Sequence, residues 1–339
     1  MKRYQTYPVL LALLLTVAFA GCRRESLPDA GDAIRFSVNS VEVSASETKA
    51  ITDPPTDGLI SDGSSALLYG SLNGSDPVFA AGTTLNCSKP SSTATWSYTN
   101  GTKYWVKGGS YNFKAVYPAT ASVTGSGDEV VVNYNMTSNN YDLMVGSSDP
   151  VTEAPPINNT VTLQFGHACA AVRFLFTDVS GNVATGKSNI ITHFELRNLV
   201  TTGTYTSPAT TPWALESVSS TPVYSWTGSW TVPIAANPIA VASDDYALIG
   251  TAPAWYFVIP QTLGDTAALY FEYTVGTGMD AKKFSATLDL KAGSITKWDA
   301  RMVYTYKIKI QNTIGFEVGW TPWDKDLDEY DLTGQIESD

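Results

Sequence analysis

Apolar side chains recur at every second residue in segment after segment of this 339-residue chain, and that period fixes what the chain can fold into. In VYTYKIKI, Tyr304, Tyr306, Ile308 and Ile310 alternate with Thr305, Lys307 and Lys309. In TIGFEVGW, Ile314, Phe316, Val318 and Trp320 alternate with Gly315, Glu317 and Gly319. Successive side chains of a strand point to opposite faces, so each segment offers one face to a core and one to water. A helix needs a period near 3.6, and no amphipathic stretch of that period is found over three turns. Further strands are expected in IRFSVNSVEVSASE, ALLYGSLN, YNFKAVYP, EVVVNYNM, YDLMVGS, ITHFELRNL and AWYFVIPQTL. TATWSYTNGTKYWV reads as a hairpin about Asn100-Gly101, and LYFEYTVGTGMDAKKFSATLDL as a hairpin about its glycines. The class is all-β, and short strands regularly punctuated by turns argue for β-sandwiches.

One segment breaks its own phase. In VTLQFGHACAAVRFLFT, Val161, Leu163 and Phe165 share a face, whereas Ala170, Val172, Phe174 and Phe176 have the opposite parity. A regular strand cannot do both, so a bulge or break is expected near Gly166-His167.

The amino terminus is of another kind. Lys2 and Arg3 precede the apolar run PVLLALLLTVAFAG, the charged and apolar regions of an export signal, too short to span a bilayer, which takes about 20 apolar residues. No later segment is apolar enough to span. Ala20, Gly21 and Cys22 resemble the lipobox of bacterial lipoproteins, in which the cysteine is lipidated and becomes the mature terminus. The alternative is an ordinary cysteine beside a generic cleavage site. Acyl chains on Cys22 hold a domain on a membrane at about 0.8 kcal/mol per buried methylene, without a spanning helix.

Removal of residues 1–21 leaves 318 residues and, because Lys2 and Arg3 go too, takes the net charge from −11 to −13. Such a surface disfavours nucleic acid and anionic lipid as partners. After the anchor, Ile34, Phe36 and Val38 form the apolar face of a first strand. It ends in TKAITDPPTDGLISDGSS, whose Pro54, Pro55, Gly58 and Gly63 leave an accessible loop. The prolines of SSDPVTEAPPINNT place a boundary near residue 155. The expected organisation is therefore a signal peptide (1–21), a lipidated segment with a separable first strand (22–49), an N-terminal β-sandwich (50–155), and a C-terminal β-sandwich with an acidic tail (156–339).

Little here suits catalysis. The two histidines, His167 and His193, both fall within expected strands, no nucleophile elbow surrounds any serine, and a histidine among apolar residues is ordinarily a hydrogen-bonded core group. Cys87 and Cys169 lack metal or redox spacing and read as free buried thiols, with pairing as the alternative. Asp324, Asp326 and Asp328 begin like a calcium loop, but Glu329 stands where glycine is needed and Gln335 where a bidentate Glu is needed. The tail is read as solvated acid, and neither metal nor cofactor is expected. Trp213, Trp226 and Trp230 lie in a Ser/Thr/Pro-rich region and are the candidates for a glycan-binding aromatic platform, set against ordinary packing of large rings.

LQFGHACAAVRFLF, with YWVKGGSYNFKAVYP and YDLMVG before it and ITHFELRNL, YFVIPQTL, WDARMVYTYKIKI and FEVGWTPW after it, resembles in order the fimbrillin family of Bacteroidota, the Mfa-like type V pilins. Ala300 departs from the glycine expected after Trp298. The resemblance implies two tandem transthyretin-like sandwiches, export as an outer-membrane lipoprotein carrying palmitate-type chains on Cys22, and a non-enzymatic subunit of adhesive surface fimbriae. It also implies a cut after a basic residue behind the first strand, where this chain has Thr48-Lys49-Ala50. Other fimbrial subunits would then fill the vacated place by strand addition, with TIGFEVGW or the tail to Asp339 as donor. Host or microbial surface glycans or proteins are the implied adhesion ligands. The alternative is a monomeric glycan-binding surface lipoprotein that keeps its first strand.

Overall fold

The computed structural model describes residues 33–40, 61–89, 94–125, 129–152, 160–180, 187–250, 254–291 and 295–310, together with the backbone of 315–322 and 336–337. The described residues are all-β, with short 3-10 turns at Ser243–Asp245 and Gly278–Asp280. None of their helices is long and apolar enough to cross a membrane.

The largest sheet has eight strands, in the order Arg35–Ser40, Thr160–His167, Met144–Ser147, Tyr111–Tyr117, Ser65–Leu72, Thr84–Ser88, Thr95–Tyr98, with Asp76–Pro77 added beside Ser65–Leu72. It surrounds a core that includes Ile34, Phe36, Leu68, Phe79, Leu85, Phe113, Leu163 and Phe165. A four-stranded sheet, Trp213–Leu215, Thr202–Ser207, Val130–Asn135, Ser122–Thr124, packs instead against a second, larger core. That core lies between a five-stranded sheet (Tyr256–Val258, Ala170–Asp178, Met302–Ile310, Gly315–Pro322, Ile336–Glu337) and a four-stranded one (Ser225–Thr231, Asn189–Arg197, Ala268–Val275, Lys282–Asp289). Phe176 meets Phe271 at 5.5 Å across it, and Phe174 stacks on Tyr306 at 5.2 Å.

The strand Ala170–Asp178 is buried at every residue. It runs parallel to Met302–Ile310 and antiparallel to Tyr256–Val258, so both its edges are paired, and because residues of both parities are buried both its faces are covered, which is why its sequence is a nearly continuous apolar run rather than an alternation. The phase break comes just after the place expected for it. Val161, Leu163, Phe165 and His167 all share the buried face, and the chain leaves the ladder at Ala168-Cys169, where the Ala168 amide donates to the Leu143 carbonyl at 2.7 Å.

Two expectations change. Asn100 and Gly101 do form a left-handed turn, with φ of 65° and 81°, but no hairpin follows it. The Tyr98 hydroxyl accepts the Lys103 amide and donates to the Ile34 carbonyl, and Tyr104 bridges to Ala33, so the second arm is drawn to the first strand rather than back along Thr95–Tyr98. Nor does strand pairing follow the division drawn at 155/156. Thr160–His167 belongs to the first sheet, while Val130–Asn135 pairs with Thr202–Ser207. Prolines mark where the chain turns, not which sheet its next strand joins.

At Ala300 the turn after Trp298 needs no glycine, because the left-handed residue is Arg301, φ 63°. Its amide donates to the Cys169 carbonyl, and its guanidinium lies over Gly166, where a Cβ would stand 2.6 Å from it. A side chain at position 166 would have to displace the end of the Arg301 side chain.

Candidate functional site, the first-strand groove

Arg35–Ser40 lies at the edge of the large sheet, parallel to Thr160–His167, with Phe36 opposite Val161 and Val38 opposite Leu163. Ile34 and Phe36 point inward and are 1% and 7% exposed, Val38 is half-buried against the same core, and Arg35 and Asn39 face water. The ring of Phe36 sits 5.2 Å from Phe113, 5.8 Å from Tyr98 and 6.0 Å from Phe79, the first two edge-on. Edge-on contacts set the positive rim of one ring on the negative face of another.

The other side of the strand is also held. The Ile34 amide donates to the Lys103 carbonyl at 2.8 Å, Tyr98 donates to the Ile34 carbonyl at 3.1 Å, and Ser37 and Thr162 share a hydroxyl hydrogen bond at 2.9 Å. The strand therefore fills a slot between Thr160–His167 and the Thr95–Tyr104 segment. Gly146 shapes the neighbouring wall, since a Cβ there would meet the Phe165 ring at 2.6 Å.

At about 1.5–3 kcal/mol per fully buried large aliphatic or aromatic side chain, Ile34 and Phe36 together contribute about 3–6 kcal/mol, before Val38 and the ladder are counted. A domain's whole stability is about 5–15 kcal/mol. Without this strand the slot would expose apolar pockets and unpaired backbone groups, a surface suited to another strand.

The remaining expected sites fall elsewhere. Cys22, Lys49, Ala50, Asp324, Asp326 and Asp328 lie outside the described residues, and among those described no cluster of His, Cys, Asp and Glu could hold a metal ion. Trp213 stands on one sheet, where its indole N–H donates to the Ala168 carbonyl and its ring packs on Tyr205 and Tyr134. Trp226 and Trp230 stand on another, packed against the second core, with Trp230 beside Phe176 and Trp226 over Gly228. Two of the three tryptophans thus share one strand, the third stands on another sheet, and all three have packing partners.

His167 is buried, its Nδ1 2.9 Å from the Asp142 carboxylate, as expected of a hydrogen-bonded core histidine. Cys87 and Cys169 are free and buried, and burial pushes the Cys169 thiol far above its ordinary range. Sequence reasoning missed a polar groove on the outer face of the Ser225–Thr231 sheet, lined by His193, Tyr270, Glu272 and Lys283 among others. Its members are spread over four strands, and only the cross-strand register joins them.

Among curated proteins none matches the chain. Among solved structures, a fimbrial protein from Bacteroides vulgatus is similar over 86% of this chain and 99% of its own, at 15% identity and a TM-score of 0.50. A candidate cell adhesion protein from Bacteroides ovatus is similar over 86% and 96%, at 12% identity and a TM-score of 0.50. At such identities the likeness shows a shared fold. The family model described as fimbrillin-like, Mfa-like, matches residues 48–323, well over half of the sequence, and the chain belongs to that family.

Proposed function

We propose that this protein is a non-enzymatic subunit of cell-surface fimbriae that contributes to adhesion, is exported as a lipoprotein anchored to the outer membrane through Cys22, and assembles by strand exchange once its first strand is removed. The observation that carries the reading is the placement of Arg35–Ser40. It is a parallel edge strand whose inward side chains complete a core, and it is joined to the rest of the chain through a segment that contains Lys49-Ala50. The family and the printed descriptions of its fold relatives, a fimbrial protein and a candidate adhesion protein, support the same assignment.

Cleavage after Lys49 separates both the strand and the lipid, which lie upstream, from the remainder. A cut copy is free to polymerise, and an uncut copy remains as an anchor. A donor must present apolar side chains at alternate positions matching Ile34, Phe36 and Val38. The chain has such a series at Ile314, Phe316 and Val318, the same three residue types in the same order. In the single chain Gly315–Pro322 pairs with Met302–Ile310, so donation from there requires that strand to leave its own sheet. Each exchange places one subunit's strand in the next, a head-to-tail contact that builds a filament rather than a closed pair.

The test is intact mass and N-terminal sequencing of protein from the native envelope, beside a Lys49→Ala variant. A wild-type start at Ala50, lost in the variant together with high-mass assemblies, is the expected result. A lipidated start at Cys22 in both overturns cleavage at this site, and wild-type protein that is cut yet stays monomeric overturns strand exchange.

A further inference from the structure

The strand Lys282–Asp289 closes one side of the sheet that begins at Ser225–Thr231. It pairs along its whole length with Ala268–Val275, and among the described residues nothing pairs with its other side. The Leu290 amide donates to the Ala267 carbonyl at 2.9 Å, in register with that ladder. Bonded positions alternate along an antiparallel pair, so Lys282, Phe284, Ala286 and Leu288 bond inward. The amides and carbonyls of Lys283, Ser285, Thr287 and Asp289 are therefore turned outward. An open row of this length is a template for another strand.

The side chains along this edge complement themselves. Phe284, Ala286 and Leu288 have the parity of the core face, opposite Tyr273, Phe271 and Leu269. Leu288 is 5% exposed, but Phe284, although stacked on Tyr273 at 5.4 Å, is 43% exposed at the open edge. Lys283, Ser285, Thr287 and Asp289 lie on the outer face and are all exposed. Neither Lys283 nor Asp289 makes a salt bridge among the described residues. The segment KFSATLD reads as charge, apolar, hydroxyl, small, hydroxyl, apolar, charge from either end, and the two charges are opposite.

We propose that this edge pairs antiparallel with the same edge of a second copy of the chain, about a two-fold axis through Ala286. An axis normal to the sheet keeps both core faces on one side, so only residues of like parity meet. Lys283 then stands opposite the partner's Asp289, Phe284 opposite the partner's Leu288, and Ser285 opposite the partner's Thr287. Each of these contacts occurs twice, and the outward backbone groups of both strands are used. Opposite charges and apolar groups placed directly across a ladder stabilise it. Centring the pair on Ser285 or Thr287 instead leaves Lys283 opposite a hydroxyl or opposite nothing, so the charges select the register. The contact is isologous and closes on itself, unlike the head-to-tail exchange proposed above. It lies on a different sheet from the first-strand groove and depends on neither cleavage nor exchange.

Cysteine cross-linking of the full chain tests the register, in the Lys49→Ala background so that the proposed strand exchange cannot begin. The two copies of residue 286 form a non-hydrogen-bonded pair with Cα atoms about 4.5 Å apart, within the roughly 4.4–6.8 Å that a disulfide spans. Ala286→Cys is therefore expected to give a disulfide-linked dimer under mild oxidation. Ser285→Cys and Thr287→Cys, each two residues out of line with its own counterpart, are expected to stay near the background of the unsubstituted chain. Sedimentation velocity, which needs no cysteine, is expected to show a reversible dimer that Lys283→Asp weakens about tenfold. Lys283→Asp combined with Asp289→Lys, which restores opposite charges, is expected to recover it. A chain that stays monomeric at every concentration, equal cross-linking at positions 285 and 286, or a dimer indifferent to Lys283→Asp or not recovered by the exchange of charges overturns the assignment.

Discussion

Phe36→Ala is the sharpest test of what the first strand does. The side chain is 7% exposed and is bounded by Phe79, Tyr98 and Phe113 at 6.0, 5.8 and 5.2 Å from ring to ring, so its loss leaves a hole lined by rigid aromatics that cannot collapse into it. Core Phe→Ala substitutions cost about 3–5 kcal/mol, and the rigid lining places this one near 4. With a urea dependence of about 1–3 kcal/mol per molar, the first unfolding transition moves down by at least 1 M. Arg35→Ala and Asn39→Ala, one residue before and three after on the exposed face, are expected to stay within about 0.5 kcal/mol of wild type. Hydrogen exchange of the Thr160–His167 amides locates the effect, because that strand loses its parallel neighbour first. If Phe36→Ala and Arg35→Ala cost the same within about 1 kcal/mol, the first strand is a surface attachment rather than part of the core, and the groove reasoning fails.

Gly146→Ala is expected to cost about 1–3 kcal/mol by overpacking, read from the melting temperature, since the new Cβ meets the face of the buried Phe165 ring rather than a mobile chain end. Burial raises the tyrosine hydroxyls at Tyr141 and Tyr304 from 10.0 to about 12, and those at Tyr224, Tyr256 and Tyr306 further. The unfolded chain ionises first, so the stability tied to these groups is complete below pH 10 and is lost as pH rises through their folded values. Absorbance at alkaline pH should therefore show late tyrosines that titrate together with unfolding, and early titration of all tyrosines would contradict their burial.

How much of this was legible follows from what each segment packs against. Met302–Ile310 has a core on one face, and its alternation from Tyr304 to Ile310 survives in the structure as buried tyrosines and isoleucines between half-buried Thr305, Lys307 and Lys309. Ala170–Asp178 has neighbours on both faces, so period alone gave its existence but not its partners. The phase break was misplaced by about two residues because His167, polar in any hydropathy reading, belongs to the buried row once Asp142 satisfies it. The first strand was visible in Ile34, Phe36 and Val38. Its partner lies more than 120 residues later, as the Ser37–Thr162 contact shows, and no local pattern encodes that distance. The polar groove was invisible for a related reason. His193, Glu272 and Ser285 are unremarkable where they stand in the chain, and they become neighbours only through register and a bulge.

The parallel sense of the Arg35–Ser40 pairing carries an implication of its own. A parallel ladder joins its hydrogen bonds at a slant, with both chains running the same way, and a strand entering in reverse would offer a different spacing of donors and acceptors. Under the proposed strand exchange, a segment that reproduces this parallel ladder arrives with its N-to-C direction set. Each such contact acts as an arrow, and a series of them pointing the same way has two unlike ends, one closed by a tenant and one still open to the next arrival.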